Sequence, residues 1–121
     1  MSARGIRGAT TVARNDRTLI LQATEEMLRM LVKLNDLRSE DLASAFFSMT
    51  TDLDAEFPAV AARKIGFSSV PLLCAREVDV PGSLPRVIRV LMHYYADEAH
   101  EARHVYLGEA RSLRLDLEGA Q

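Results

Sequence analysis

Only one cysteine, Cys74, occurs in the 121 residues, which rules out an intramolecular disulfide framework. Long apolar runs are missing too, and none approaches the roughly 20 residues that a bilayer-crossing helix needs. The N-terminal stretch carries Arg4 and Arg7 among Gly and Thr and holds no apolar core of signal-peptide length. The chain is therefore expected in the cytoplasm, without a membrane partner. An excess of one charge is also lacking: 15 Lys and Arg stand against 17 Asp and Glu, for a net charge of −2. That balance offers nothing to a nucleic-acid backbone. There is no internal repeat, no low-complexity tract and no sign of a second domain, so residues 1–121 are expected to form one domain. A chain this short buries one modest core. A deep small-molecule site is hard to fit inside it, and a site shared between subunits becomes attractive.

Lysine is scarce. Of the 15 basic residues only Lys33 and Lys64 are Lys, and the other 13 are Arg. For surface positions this bias carries no functional meaning. For an Arg that a strand holds in a pocket it does, because a guanidinium clasps carboxylates bidentately.

What is present reads as alternating strands and helices. Residues 4–12 are β-compatible and punctuated by Gly5 and Gly8, small residues that let something approach the backbone closely. Asn15 and Asp16 offer an N-cap for a helix over 16–34, with Leu19, Ala23, Met27, Met30, Leu31 and Leu34 as its apolar stripe. A buried-looking run over 41–49 is the second strand. Pro58 suits the first turn of a short helix that stops at Gly66. A third strand covers 70–75, and the prolines and glycine of 79–85 mark a connection. Strands over 86–95 and 104–111 complete an α+β chain with a mixed five-stranded sheet and two helices. Helices would cover one face of that sheet, and oligomerisation is the simplest cover for the other.

Strand alternation sorts the side chains of 86–95 onto two faces. Ile88, Val90, Met92 and Tyr94 share one, and Arg89, Leu91 and His93 share the other. An Arg in so apolar a strand is costly unless it is paired or meets an anion. The residues leave both open, an internal salt bridge to Glu77 or a ligand. Arg7, also in mid-strand, favours a small organic carboxylate. Cys74 has no nearby His–Asp arrangement to make it a nucleophile and reads as a buried or site-lining thiol. A rival motif is His100-Glu101-Ala102-Arg103-His104, a literal H-E-x-x-H that on a helix would present two zinc ligands and a base. Its third ligand would have to be Glu109 or Glu118, and the stretch after His104 is β-patterned.

The residues resemble those of the monofunctional homotrimeric chorismate mutases of mixed α/β type. The likeness runs from Arg4-Gly5-Ile6-Arg7-Gly8-Ala9-Thr10-Thr11 through Asp52-Leu53, Phe57-Pro58-Ala59, Arg63, Val70-Pro71 and Cys74 to Glu77. It closes with Ile88-Arg89-Val90, Arg103-His104-Val105-Tyr106-Leu107 and Leu113-Arg114, in order and over nearly the whole chain. The resemblance implies a pseudo-α/β-barrel homotrimer with active sites between subunits, acting on chorismate with neither metal nor cofactor. It implies catalytic roles for Arg89, Glu77, Arg7 and Cys74. Substrate contacts fall to Tyr106, Phe57, Ala59, Arg63, Leu73, Leu113 and Arg114, with Phe57, Ala59 and Arg63 coming from the adjacent subunit. Two positions depart from the family: Val60 stands where Lys is frequent, and Leu73 where Thr is usual. A non-catalytic trimer that binds small carboxylates, and a zinc hydrolase built on His100, Glu101 and His104, are the alternatives.

Overall fold

The first strand, β1, runs from Ser2 to Thr11 and pairs along its full length with a later strand, β4 (Val87–Ala96), in antiparallel register. Residues 1–113 of the computed structural model are described here. Three further strands, β2 (Leu42–Met49), β3 (Leu72–Arg76) and β5 (Val105–Tyr106), complete one mixed sheet in the order β3-β2-β4-β1-β5. The pairs β2·β4 and β1·β4 are antiparallel, whereas β2·β3 and β1·β5 are parallel.

Helix α1 (Arg17–Asn35) covers one face of this sheet. Asp16 caps it by accepting the Leu19 N–H at 3.0 Å, as the sequence suggests. Asp36 ends it in the left-handed region at φ 51°, with the Leu37 N–H returned to the Val32 carbonyl at 3.0 Å. The buried stripe differs from the expected one. It is Ile20, Thr24, Met27, Leu28, Leu31 and Asn35, while Leu34 is 45% exposed and Leu19, Ala23 and Met30 only flank the core. Two polar residues hide the true stripe from an apolar count. Thr24 donates to the Ile20 carbonyl at 2.7 Å. The Asn35 amide donates to the carbonyls of Leu31 and Arg103, each at 2.9 Å. Both are satisfied, so their burial costs little.

Below α1 lie Ile6, Phe47, Ile88, Val90, Met92 and Tyr94, all buried, and the alternation expected of β4 is the alternation observed. At Gly8 the helix packs closely on the sheet. A Cβ there would meet Leu31 Cδ1 at 2.8 Å, and both Met27 Cγ and Val90 Cγ1 at 3.1 Å. Gly8→Ala is expected to lower stability by about 1–3 kcal/mol through overpacking. Urea unfolding should show a lower midpoint at unchanged slope.

The short helix α2 (Ala59–Lys64) follows Pro58 and stops before Gly66, which adopts φ 109°. The fifth strand is far shorter than the expected 104–111. It ends at Tyr106 because Gly108 takes φ 57° and turns the chain into a 3-10 turn, Gly108–Ala110. The Glu109 N–H then bonds Thr11 Oγ1 at 3.0 Å. No helix among the described residues is long and apolar enough to cross a membrane.

Among the described residues, neither α1 nor α2 covers the second face of the sheet. Leu73 (56%), Tyr95 (50%), Phe46 (44%) and Leu91 (40%) stand exposed on it, an apolar surface of the sort that a partner covers.

Candidate active site

The registers set side chains in rows across this second face, since paired residues point the same way. One row reads Tyr106, Ala9, Arg89, Ser48 and Ala75 from β5 to β3. The next reads Arg7, Leu91, Phe46 and Leu73. Together the rows floor a trough of about 400 Å³, with Arg7, Arg89 and Tyr106 along it and Leu113 at its edge.

Glu77 enters from beyond the end of β3, where its N–H donates to the Met49 carbonyl at 2.8 Å and extends the ladder. Its Oε1 lies 2.8 Å from Arg89 Nε. The approach is an ion contact rather than a directed bond. Arg89 Nε is buried and has no hydrogen-bond partner among the described residues. Glu77 Oε1 takes instead the hydroxyl of Ser48. Tyr106 Oη is the second buried polar atom in the trough without a partner among the described residues. A buried hydroxyl left without a partner costs about 1–3 kcal/mol until something meets it, whereas Arg89 Nε keeps its ion contact with Glu77. Among the described residues, two guanidiniums and a phenol stand with one carboxylate, a donor set that suits an anion bearing carboxylates.

Of the residues singled out in the sequence, Arg7, Glu77, Arg89, Tyr106 and Leu113 come together here. Others do not. Cys74 pairs with Phe47 and so points to the opposite side of β3 from Ala75. It shares with Phe57, which is 65% exposed, a separate hollow of about 370 Å³. Ala59 is buried in α2, Arg63 is exposed on it, and Leu73 lies exposed in the second row. Arg114 falls outside the described residues.

The zinc reading loses its premise. Residues 100–104 are not helical, so the i, i+4 geometry that would bring His100 and His104 together does not exist. His100 Nε2 instead bonds the Tyr94 hydroxyl at 2.6 Å. His104 Nδ1 accepts the Arg7 N–H at 3.0 Å, on the strand that carries the trough. Partial burial of the His104 ring, and then the Arg7 guanidinium, hold its pKa below the ordinary 6.5. At neutral pH the ring is therefore uncharged, with its proton on Nε2 and Nδ1 free to accept.

Three residues with clear parts in this geometry escaped the sequence reading. His104 stands in the sequence only as part of the H-E-x-x-H and of the family motif, Asn35 carries no signal there, and Ser48 falls without distinction in the buried-looking run of 41–49. Nothing local marks any of them, because each acts across strands whose pairing is set at long range.

Comparisons with known proteins point to one family. The profile of the family described as Chorismate mutase type I matches residues 3–117. The chain is 55% identical to Chorismate mutase AroH of Thermus thermophilus over 120 residues, 98% of each chain. It is 44% identical to Chorismate mutase AroH of Bacillus subtilis (strain 168) over 119 residues, covering 97% of this chain and 94% of that one. A solved chorismate mutase from Clostridium thermocellum superposes with a TM-score of 0.87 at 44% identity, covering 90% of this chain and 98% of that one.

Proposed function

Since the chain belongs to the type I chorismate mutases, we propose that the trough of Arg7, Arg89 and Tyr106 is where it rearranges chorismate to prephenate, the isomerase activity that membership carries. The observation that carries this placement is Tyr106 Oη, buried and without a hydrogen-bond partner among the described residues, in an apolar-floored trough that also holds Arg7 and Arg89.

Chorismate is a dianion, and its conversion to prephenate is a concerted [3,3] rearrangement. Bonds break and form together, so no nucleophile or general base is required. What the reaction needs is a flexible substrate held in a chair-like conformer. It also needs positive charge where the ether C–O bond cleaves and the enolpyruvyl oxygen gains electron density. Arg89 supplies that charge, and its guanidinium is permanently protonated. Arg7 and Tyr106 hold the enolpyruvyl carboxylate. Glu77 accepts a hydrogen bond from the ring hydroxyl and complements the relative positive charge that develops on the ring.

The rest of the site comes, in this reading, from a second copy in a homotrimer. Phe57 packs on the ring and Arg63 closes the entrance, while Ala59, buried in its own chain, offers only its backbone. Support comes from the lining of the trough, which among the described residues includes none of α2, and from the exposure of Phe46, Leu73, Leu91 and Tyr95. Leu113 lines the trough, and the family resemblance gives Arg114 a substrate contact. The whole chain, 1–121, acts as one cytoplasmic domain and needs no metal or cofactor for this chemistry.

Cys74 contributes through its backbone. In β3 the groups of Pro71 and Glu77 bond to β2, so the alternate residues Leu72, Cys74 and Arg76 turn their N–H groups to the free outer edge. The Cys74 N–H is thus open to the ring-hydroxyl region of a ligand lying across that edge. Cys74→Ser is expected to keep turnover within about threefold, because a backbone donor survives the change and the chemistry has no covalent step. A folded but inactive Cys74→Ser in a steady-state prephenate assay would point to a thiol intermediate instead.

A further inference from the structure

We infer that Ser48 is a positioning residue for the rearrangement: its hydroxyl holds Glu77 so that Glu77 and Arg89 do not close into a two-pronged ion pair. The inference rests on the roles proposed above for those two residues. Three facts support it. Ser48 is the register partner of Arg89 and stands between Arg89 and Ala75 in the row that floors the trough. Its hydroxyl donates to Glu77 Oε1. Arg89 Nε approaches that same oxygen, at 2.8 Å, without a directed hydrogen bond.

A carboxylate and a guanidinium left to themselves prefer two parallel N–H···O bonds. Glu77 could reach that arrangement easily. It lies just past the end of an edge strand, and the chain beyond it, Val78 to Pro81, is loop. Closing the pair would use both Glu77 oxygens and would turn the Arg89 donors away from the substrate. With Ser48 on Oε1, Oε2 stays open to accept from a ring hydroxyl. The remaining guanidinium donors stay open to a developing negative charge. Ser48 itself need touch no reacting atom.

The hydroxyl is isolated by comparing Ser48→Ala and Ser48→Val with Ser48→Thr, the last two being equal in shape. Ala and Val are expected to lower kcat about tenfold or more, as for loss of a hydrogen bond to a charged group. KM should move by less than about threefold, because the lost organisation is felt chiefly in the transition state. Thr should restore kcat to within about threefold of the parent, since it returns the donor. In a Glu77→Ala background, Ser48→Ala should cost nothing further, a result that a general structural role would not produce. Unchanged kcat in both Ala and Val, with Glu77→Ala severely impaired, overturns the inference alone. An equal loss from Ser48→Ala with or without Glu77 also overturns it. Full activity in Glu77→Ala overturns the site reading on which the inference stands.

Discussion

Arg89→Ala is expected to lower kcat by about a thousandfold or more, with folding intact. Each tenfold in rate is about 1.36 kcal/mol of barrier. A single preorganised neutral donor is worth about 3–4 kcal/mol, and Arg89 adds a full, permanent charge. Arg89→Lys should recover little of this. Its ammonium is a compact point charge and cannot present the two N–H groups that a planar guanidinium aims together. Neither change should unfold the chain. Arg89 points away from α1, while its neighbours Ile88 and Val90, at 0% and 2% exposed, keep the core side of β4 filled. Circular dichroism and thermal unfolding of both variants provide the control. Near-normal turnover by Arg89→Lys would remove Arg89 from its proposed role.

The second large effect is a recovery of activity. Arg89→Ala subunits damage the strand side of a shared site. Subunits carrying Phe57→Ala with Arg63→Ala damage the side contributed by α2 and the turn before it. Each homotrimer alone should be nearly inactive. When the two are mixed in equal amounts and allowed to exchange, about a quarter of the sites should draw an intact strand side from one subunit and an intact α2 side from its neighbour. Turnover should rise accordingly. A site built within one chain would show no recovery, because every chain would carry damage. The same experiment therefore tests the homotrimer and the origin of Phe57 and Arg63 together.

The readable parts of this protein are those whose signal is periodic and local. The alternation of Ile88, Arg89, Val90, Leu91, Met92 and His93 assigns β4 and both its faces. The Asp16 cap likewise fixes the start of α1. An Arg in the middle of an apolar strand is conspicuous on energetic grounds, so Arg89 and Arg7 stand out before any fold is known. The stripe of α1 is misread because Thr24 and Asn35 are polar yet fully satisfied. The fifth strand is overextended because the residues of 104–111 suit a strand, while the φ of 57° at Gly108 is a tertiary decision made against Thr11. Ser48 and the trough itself depend on four strand registers, two antiparallel and two parallel. Those pairings join residues far apart in the chain, and no local pattern encodes them. The resemblance of motifs supplies what periodicity cannot, by bringing Glu77, Tyr106 and Arg89 into one site.

The most direct test of the account is to follow chorismate loss and prephenate formation by the purified protein, with and without EDTA. The account predicts prephenate as the product, at a rate that EDTA does not change, because the barrier is lowered by fixed positive charge and substrate confinement alone. A folded, correctly assembled protein that leaves chorismate untouched, or one whose turnover disappears with the chelator, would contradict it.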